Sequence, residues 1–518
     1  MKFERASGVL LHPTSLPGSY GIGDLGPAAY RWVDWLAGTG CKLWQILPLG
    51  PTGYGDSPYQ CFSAFAGNPY VISPELLLQE GLLHSNDLIE KMRFDPKRVD
   101  FGRLIPWKLN LLERAFTRFS SSQRLPKSIA KEQQQGDIPS KISEDVSPSI
   151  KTSFDTFCVE NASWLDDYSL FMAIKEAHGG GPWSSWPELI RKRNPDAIND
   201  ARDTLASSIL RISFYQFIFF RQWNALLEYA HQKGLRIIGD IPIFVASDSS
   251  DVWSHPDLFF LDKDLHPTVV AGVPPDYFSP TGQLWGNPLY RWDRHKSQGY
   301  KWWLERLRAS LKLVDILRID HFRGFAGYWE IPAANSTAET GRWVPGPGTD
   351  FFDVVKSNLG DDLPIIAEDL GLITPDVTKL RDTYALPGMK VLQFAFSGPD
   401  NPFLPHSYPQ NCVVYTGTHD NDTSHGWYES GPESEKDFAR RYLGSNGSDF
   451  SWDLIGAAWK SIAVFAIAPL QDFLSLGTEA RFNYPSRLGG NWEWRVQEAV
   501  LSANLQGRIK DLNWLSQR

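Results

Sequence analysis

At 518 residues, with 21 Trp, 18 Tyr, 30 Phe and a formal net charge of -9, the chain exceeds one ordinary domain and can bury a large core, although a single decorated barrel could hold most of it. The acidic balance and the lack of any sustained basic run argue against a nucleic-acid partner, which needs clustered Lys and Arg to displace counterions. No stretch approaches the roughly 20 apolar residues of a membrane span, and Met1-Lys2-Phe3-Glu4-Arg5 leads into the first strand-like run without a signal-type core, so a soluble, cytoplasmic protein with no membrane partner is expected.

Cys41, Cys61, Cys158 and Cys412 are widely spaced with no C-x-x-C pair. Neither a zinc site nor a disulfide scaffold is indicated, and reduced, mostly buried thiols are expected. Flat aromatic rings at a surface suit a sugar, whose faces are C–H-rich and whose rim is hydroxylated. Aromatics mostly fill cores, however, and composition by itself leans to that reading.

Along the chain, Gly8-Val9-Leu10-Leu11 is a short apolar run, and Ala29, Trp32, Val33 and Leu36 follow at helical spacing, closed by Gly38. Cys41 to Pro48 reads as the next strand. Gly50 to Asn68, with Tyr54, Tyr59, Phe62 and Phe65, is too long for an ordinary strand-to-helix turn; it is either a binding loop or a structural Ω-loop. From residue 70 to 206 the rhythm lapses into helical segments such as Leu109 to Phe119 and Ser163 to His178. A polar stretch, 120–153, lies between them and cannot bury enough apolar surface to order strongly; it is expected to be dispensable for activity. Leu205 to Lys233 reads as a long helix returning to the scaffold.

Strands then resume: Leu235 to Asp240, Asp315 to Ile319, Pro364 to Asp369, Met389 to Phe394, Val413 to Asp420 and Val464 to Leu470. A second long aromatic, Gly- and Pro-rich loop spans 251–287 and reads as lid-like. The eight strand candidates, most of them separated by helical stretches, predict an α/β fold, a (β/α)8 TIM barrel with long βα-loop insertions and a largely helical insertion subdomain. Its parts are 1–69, the start of the barrel, 70–206, the helical insertion, and 207–518, the remaining barrel. A doubly wound open sheet is the alternative, but no Gly-x-Gly-x-x-Gly turn follows any strand.

Four of these strands end on acid: Asp240, Asp320, Glu368 and Asp420. Arg318 and Asp320, two apart on one face of a strand, should meet, because a buried guanidinium and carboxylate are tolerated only when paired. Barrel closure would bring Asp320, Glu368 and Asp420 to one mouth. Converging carboxylates suit glycosidic-bond chemistry, in which one acid protonates the leaving oxygen and another attacks or stabilises the sugar cation. A metal hydrolase using His321 and His419 is the competing reading, although no His-x-His or His-Glu-x-x-His pair is present. His419 can equally be a buried imidazole that merely satisfies Asp420 or a backbone carbonyl.

Leu317-Arg318-Ile319-Asp320-His321-Phe322-Arg323-Gly324, Ala367-Glu368-Asp369-Leu370-Gly371 and Gly417-Thr418-His419-Asp420-Asn421-Asp422-Thr423 resemble the signature blocks of the 4-α-glucanotransferases, also called amylomaltases or disproportionating enzymes, which form glycoside hydrolase family 77. Ser57-Pro58-Tyr59-Gln60, Gly239 to Val245, Gly272 to Phe278 and Gly490-Asn491-Trp492 are similar to that family too, so the resemblance runs from about Gly8 to Trp494. It implies hexosyl transfer between α-1,4-glucans or maltooligosaccharides, of the starch or glycogen kind, by a retaining double displacement without cofactor or metal. Asp320 would be the nucleophile, Glu368 the general acid/base and Asp420 the transition-state stabiliser. Arg318 and His419 would contact the sugar at the cleavage point, with Tyr59, Asp240, Asp276, Tyr277 and Trp285 as further substrate-binding candidates.

The chain departs from the pattern at Ser397-Gly398, where some members carry acidic residues, which touches an acceptor-side contact and not the chemistry. It resembles the short form of the family, without an extra N-terminal domain or a C-terminal β-sandwich, and a monomer or weak homo-oligomer is expected. An α-glucan hydrolase on the same residues, and a catalytically silent glucan-binding protein, are the alternative functions. The second has no need of all three acids.

Overall fold

The apolar runs of the sequence pair with one another, side by side and in parallel. A computed structural model of the protein describes residues 3–88, 92–121, 148–275, 279–485, 487 and 489–518. Its strands, in chain order, are β1 (Ala6–Leu10), β2 (Leu43–Gln45), β3 (Arg236–Pro242), β4 (Val269–Val273), β5 (Gln283–Pro288), β6 (Ile316–Asp320), β7 (Gly327–Pro332), β8 (Arg342–Pro345), β9 (Ile365–Ala367), β10 (Gly388–Val391), β11 (Cys412–Tyr415) and β12 (Phe465–Pro469). Eight of them form one sheet in the order β10-β11-β12-β1-β2-β3-β6-β9. The ends of that row meet where the Ala367 amide donates to the Pro387 carbonyl at 2.9 Å. The fold is a (β/α)8 barrel.

Its strands are buried on both faces, as in β1 and β12, where every residue is buried. Such strands read as continuous apolar runs because helices cover the outside and side chains fill the inside. Across the interior Tyr415 donates to Gln45 Oε1 at 2.9 Å. Gly8 has to be glycine, since a Cβ there would come within 2.7 Å of the Leu43 carbonyl oxygen on the neighbouring strand.

The helical insertion is built from Phe101–Ser121, Pro148–Ala177 and the first half of Ala206–Gln232. Rings knit these helices together: Phe119 stacks on Phe214 at 4.7 Å, and Phe154 meets Phe217 edge-on at 5.6 Å. Phe119, Phe154 and Phe214 belong to the same apolar cluster as the barrel residues Trp44, Ile238 and Ile316, so insertion and barrel share one core. Most of the polar stretch 120–153 lies outside the described residues. Its last residues open the helix Pro148–Ala177, where Ile150 is buried.

The segment 251–287, expected as one long loop, holds more structure than that. It contains the helix Ser250–Ser254 and strands β4 and β5, which join β7 and β8 in an antiparallel sheet of order β5-β4-β7-β8 beside the barrel mouth. These strands escaped the sequence because they are short, and their apolar residues are interrupted by Gly272, Gly286 and exposed positions. Among the described residues no helix is long and apolar enough to cross a membrane.

Candidate active site

The parallel register fixes which side chains face each other at the carboxyl ends of the strands. Asp240 on β3 lies opposite Arg318 on β6. The Arg318 guanidinium, only 4% exposed, donates to Asp240 Oδ2 and, at 2.9 Å, to Asp320 Oδ1. The expected meeting of Arg318 with Asp320 is present, and Asp240 completes it as a second carboxylate. Buried charges of this kind persist because each is paired.

Asp240 is sealed from solvent and its Oδ2 also accepts from the Tyr59 hydroxyl at 2.9 Å. Burial pushes the Asp240 carboxyl up, to about 6, against the pull of Arg318. Tyr59 comes from the loop after β2, and its ring stacks on His419 at 4.9 Å with 18° between the planes. Behind that pair, His419 Nε2 lies 3.3 Å from Asp420 Oδ2. Burial alone would depress the His419 imidazole, but the Asp420 carboxylate outweighs it and raises the ring above its ordinary value. Partial removal from water works to raise the Asp420 carboxyl in turn. The His419 ring and the Asn483 amide, which donates to Asp420 Oδ1 at 2.6 Å, hold it well below the usual carboxylate range.

Glu368 follows β9 and differs from the other three acids. Its Oε2 accepts from the His321 amide and its Oε1 from the Leu370 amide, each at 2.7 Å. Burial, with the neighbouring Asp320 charge adding, pushes its carboxyl up to about 7 in spite of those donors and Arg318. His321, the residue after Asp320, has φ 55° and ψ 44°. This left-handed turn, sparsely populated by non-glycine residues, directs its N–H at Glu368. Its ring meets Trp285 edge-on at 4.7 Å, so the Trp285 candidate, on β5, stands against the residue next to Asp320.

The structure therefore brings together Asp320, Glu368, Asp420, Arg318, His419, Tyr59, Asp240 and Trp285. Asp276 and Tyr277, the remaining candidates, lie outside the described residues. Ser397, at the position where the chain departs from the family pattern, is exposed and accepts from the Asn401 amide at 2.8 Å.

Sequence reasoning missed two neighbours. Asn483 holds Asp420 in place, helped by Arg481, which donates to the Asp420 carbonyl at 2.9 Å. Trp492 stands 5.9 Å from the Tyr59 ring and 6.0 Å from His419, with φ 63°, a strained setting for so bulky a residue. Trp492 had a signal, in Gly490-Asn491-Trp492. Asn483 had none, since an amide in a loop follows no pattern.

A family model described as 4-alpha-glucanotransferase matches residues 11–502. A 4-alpha-glucanotransferase from Thermus thermophilus is 49% identical over 527 residues, covering 100% of both chains. One from Synechocystis sp. is 47% identical over 510 residues, covering 98% of this chain and 96% of its own. The solved amylomaltase from Streptococcus agalactiae, in complex with acarbose, is similar with a TM-score of 0.92 at 38% identity, covering 99% of this chain and 100% of that one. The amylomaltase from Corynebacterium glutamicum, 18% identical, has the same fold at a TM-score of 0.76, covering 98% of this chain and 75% of its own.

Proposed function

The chain belongs to the 4-alpha-glucanotransferase family and is an enzyme of that class, and from this we propose that it transfers segments of α-1,4-glucan to an acceptor hydroxyl by a retaining double displacement. In the first step an Asp320 carboxylate oxygen bonds to the anomeric carbon. The glycosidic C–O bond breaks, and the Glu368 proton passes to the departing oxygen. In the second, Glu368, now a carboxylate, takes the proton of an acceptor hydroxyl. The acceptor oxygen bonds to the same carbon and the ester to Asp320 breaks.

The observation that carries this reading is the contrast between the two carboxyl groups. Asp320 faces the Arg318 guanidinium, whereas Glu368 is buried and raised to about 7, and so keeps its proton in a large share of molecules near neutral pH, where it can both give up and take back a proton. Asp420, its charge held by His419 and Asn483, would be the carboxylate that stabilises positive charge developing on the sugar. Asp240 serves as the anchor of Arg318 and Tyr59. Arg318, His419, Tyr59 and Trp285 are the sugar-contacting side chains of the proposal, joined by the family-implied Asp276 and Tyr277.

Hydrolysis on the same residues differs only in what attacks the ester, since water can replace the acceptor. Rings around the mouth, Tyr59, Trp492 and Trp285, favour transfer because they displace water from the intermediate. Incubation with maltotriose tests the reading. Glucose together with oligosaccharides longer than the substrate is the expected outcome; maltose and glucose with no longer product would replace transfer by hydrolysis.

A further inference from the structure

The antiparallel sheet beside the mouth has two faces, and only one of them belongs to the site described above. Residues paired across antiparallel strands lie on the same face. Leu284 pairs with Gly272, Gly272 with Trp329 and Trp329 with Trp343, one row across all four strands. Trp285, the next residue on β5, is on the opposite face, against His321. The row thus forms the back of the wall whose front closes the catalytic mouth.

At the edge of this row Trp343 is 39% exposed, and its ring is held from two sides. The Arg323 guanidinium lies 3.8 Å from its ring centroid, and Trp329 meets it at 5.3 Å with 64° between the planes. Trp329 is itself tied down, donating through Nε1 to the Ala338 carbonyl at 3.0 Å. Arg323 is buried and comes from the turn that begins at Asp320, and it also donates to the Leu372 carbonyl, just past Glu368. One ring is therefore held by the segment that follows the candidate nucleophile, through Arg323, and by β7, through Trp329.

We propose that Trp343, braced by Arg323 and Trp329, is a glucan platform outside the catalytic mouth, contacting sugars of an α-glucan chain distant from the bond that is cut. This rests on the glucan-transfer reading above. A rigid, partly exposed indole loses little freedom on binding and offers a flat apolar face of the kind that stacks on a pyranose ring. Arg323, one of its braces, stands in the turn that follows Asp320, so the platform lies close to the mouth but on the outer face of its wall.

Three variants separate these roles. Trp343→Ala removes the ring, Trp343→Leu keeps apolar bulk over Arg323 without a flat face, and Trp343→Phe keeps a ring. Retardation in gels containing soluble amylopectin, turnover of amylopectin and of maltotriose, and melting curves are measured on each. Retention should weaken about threefold to tenfold in Trp343→Leu and by less than about twofold in Trp343→Phe. The loss in kcat/KM on amylopectin should exceed that on maltotriose by a similar factor. If Trp343→Ala fails to fold, the Leu and Phe variants decide. Wild-type retention in Trp343→Leu, or equal losses on both substrates, overturns the platform, as does a change in oligomeric state without a change in retention. A wild-type enzyme that cannot disproportionate maltotriose would defeat the transfer reading alone, because retention of the Leu and Phe variants still reports on the platform.

Discussion

Arg318 at one end of the barrel and Arg5 and Arg518 at the other are held by opposite means. At the carboxyl end Arg318 is matched by two carboxylates, Asp240 and Asp320. At the amino end Arg5 and Arg518 find main-chain carbonyls. Arg5 donates to Trp459 and Ser461 at 3.0 and 2.8 Å, and Arg518 to Trp459, Ala6 and Ala463 at 2.8, 2.9 and 2.9 Å. Carbonyls are neutral and cannot titrate, so they secure β1, β12 and the end of the helix Phe450–Lys460 without creating any reactive group. Carboxylates can attack, and they can exchange protons. One end of the fold is built for permanence and the other for chemistry, a division common to barrels of this kind.

The sharpest way to test that division is to neutralise one acid at the mouth. Asp320→Asn should reduce transfer by about a thousandfold or more while the melting temperature moves little, since the amide keeps the shape but cannot form the ester. Retention of even a tenth of wild-type transfer would move the nucleophile elsewhere. Asn483→Ala should follow with a loss of about tenfold to a hundredfold in kcat, because Asp420 would lose its 2.6 Å donor and shift. An unaltered rate would make Asn483 a packing residue.

Glu368 supplies a pH test with two signs to check. As the acid it must be protonated, so kcat/KM should fall about tenfold per pH unit above about 7, a limb that Glu368→Gln should lack. Its folded-state carboxyl is raised above the unfolded value, so the protonated form stabilises the fold below the unfolded value, and this contribution is lost as pH rises through about 7. Glu368→Gln should therefore look more favourable at pH 8 than at pH 4.5, by about 1–3 kcal/mol in unfolding free energy. A pH-independent difference would show that the group does not titrate in that window.

At the other end Arg518→Ala should lower stability by about 1–3 kcal/mol through carbonyls left without a donor, with activity per folded molecule unchanged. Lost activity without lost stability would erase the contrast between the ends. The smallest effect is expected from Trp285→Ala. Opening the wall beside His321 should raise the ratio of hydrolysis to transfer a few-fold, about 1 kcal/mol of selectivity. A lowered melting temperature with an unchanged ratio would reduce Trp285 to packing.

How much of this was legible in the sequence follows from burial. The eight barrel strands are largely enclosed on both faces, so each has a mostly apolar run, and in three of them charge stands at or near its end, at Asp240, Asp320 and Glu368. β7 and β8 are partly exposed, and the pattern of exposed and half-buried residues from Arg342 to Pro345 carries no usable period. The acids were legible because a carboxylate at the end of such a run is conspicuous. The donors that tune them were not. The His321 amide reaches Glu368 because of a left-handed backbone turn at a non-glycine residue, and Asn483 reaches Asp420 from a loop far along the chain. Neither conformation nor long-range contact is written in local spacing.

The pairing of β1 has a consequence for synthesis in the cell. Its partner on one side is β2, a short distance along the chain, but on the other it is β12, with Ala6 opposite Phe465. At translation rates of about 5–20 residues per second, the ribosome needs about 20–90 s to deliver the second partner. Throughout that interval a nascent strand made wholly of core residues would present an open hydrogen-bonding edge, a template for pairing with other chains. Early docking of the following helix, Pro27–Gly38, and of β2 would cover one side of β1 but leave that edge open. Yield on expression should therefore depend on translation rate more steeply than refolding yield depends on protein concentration.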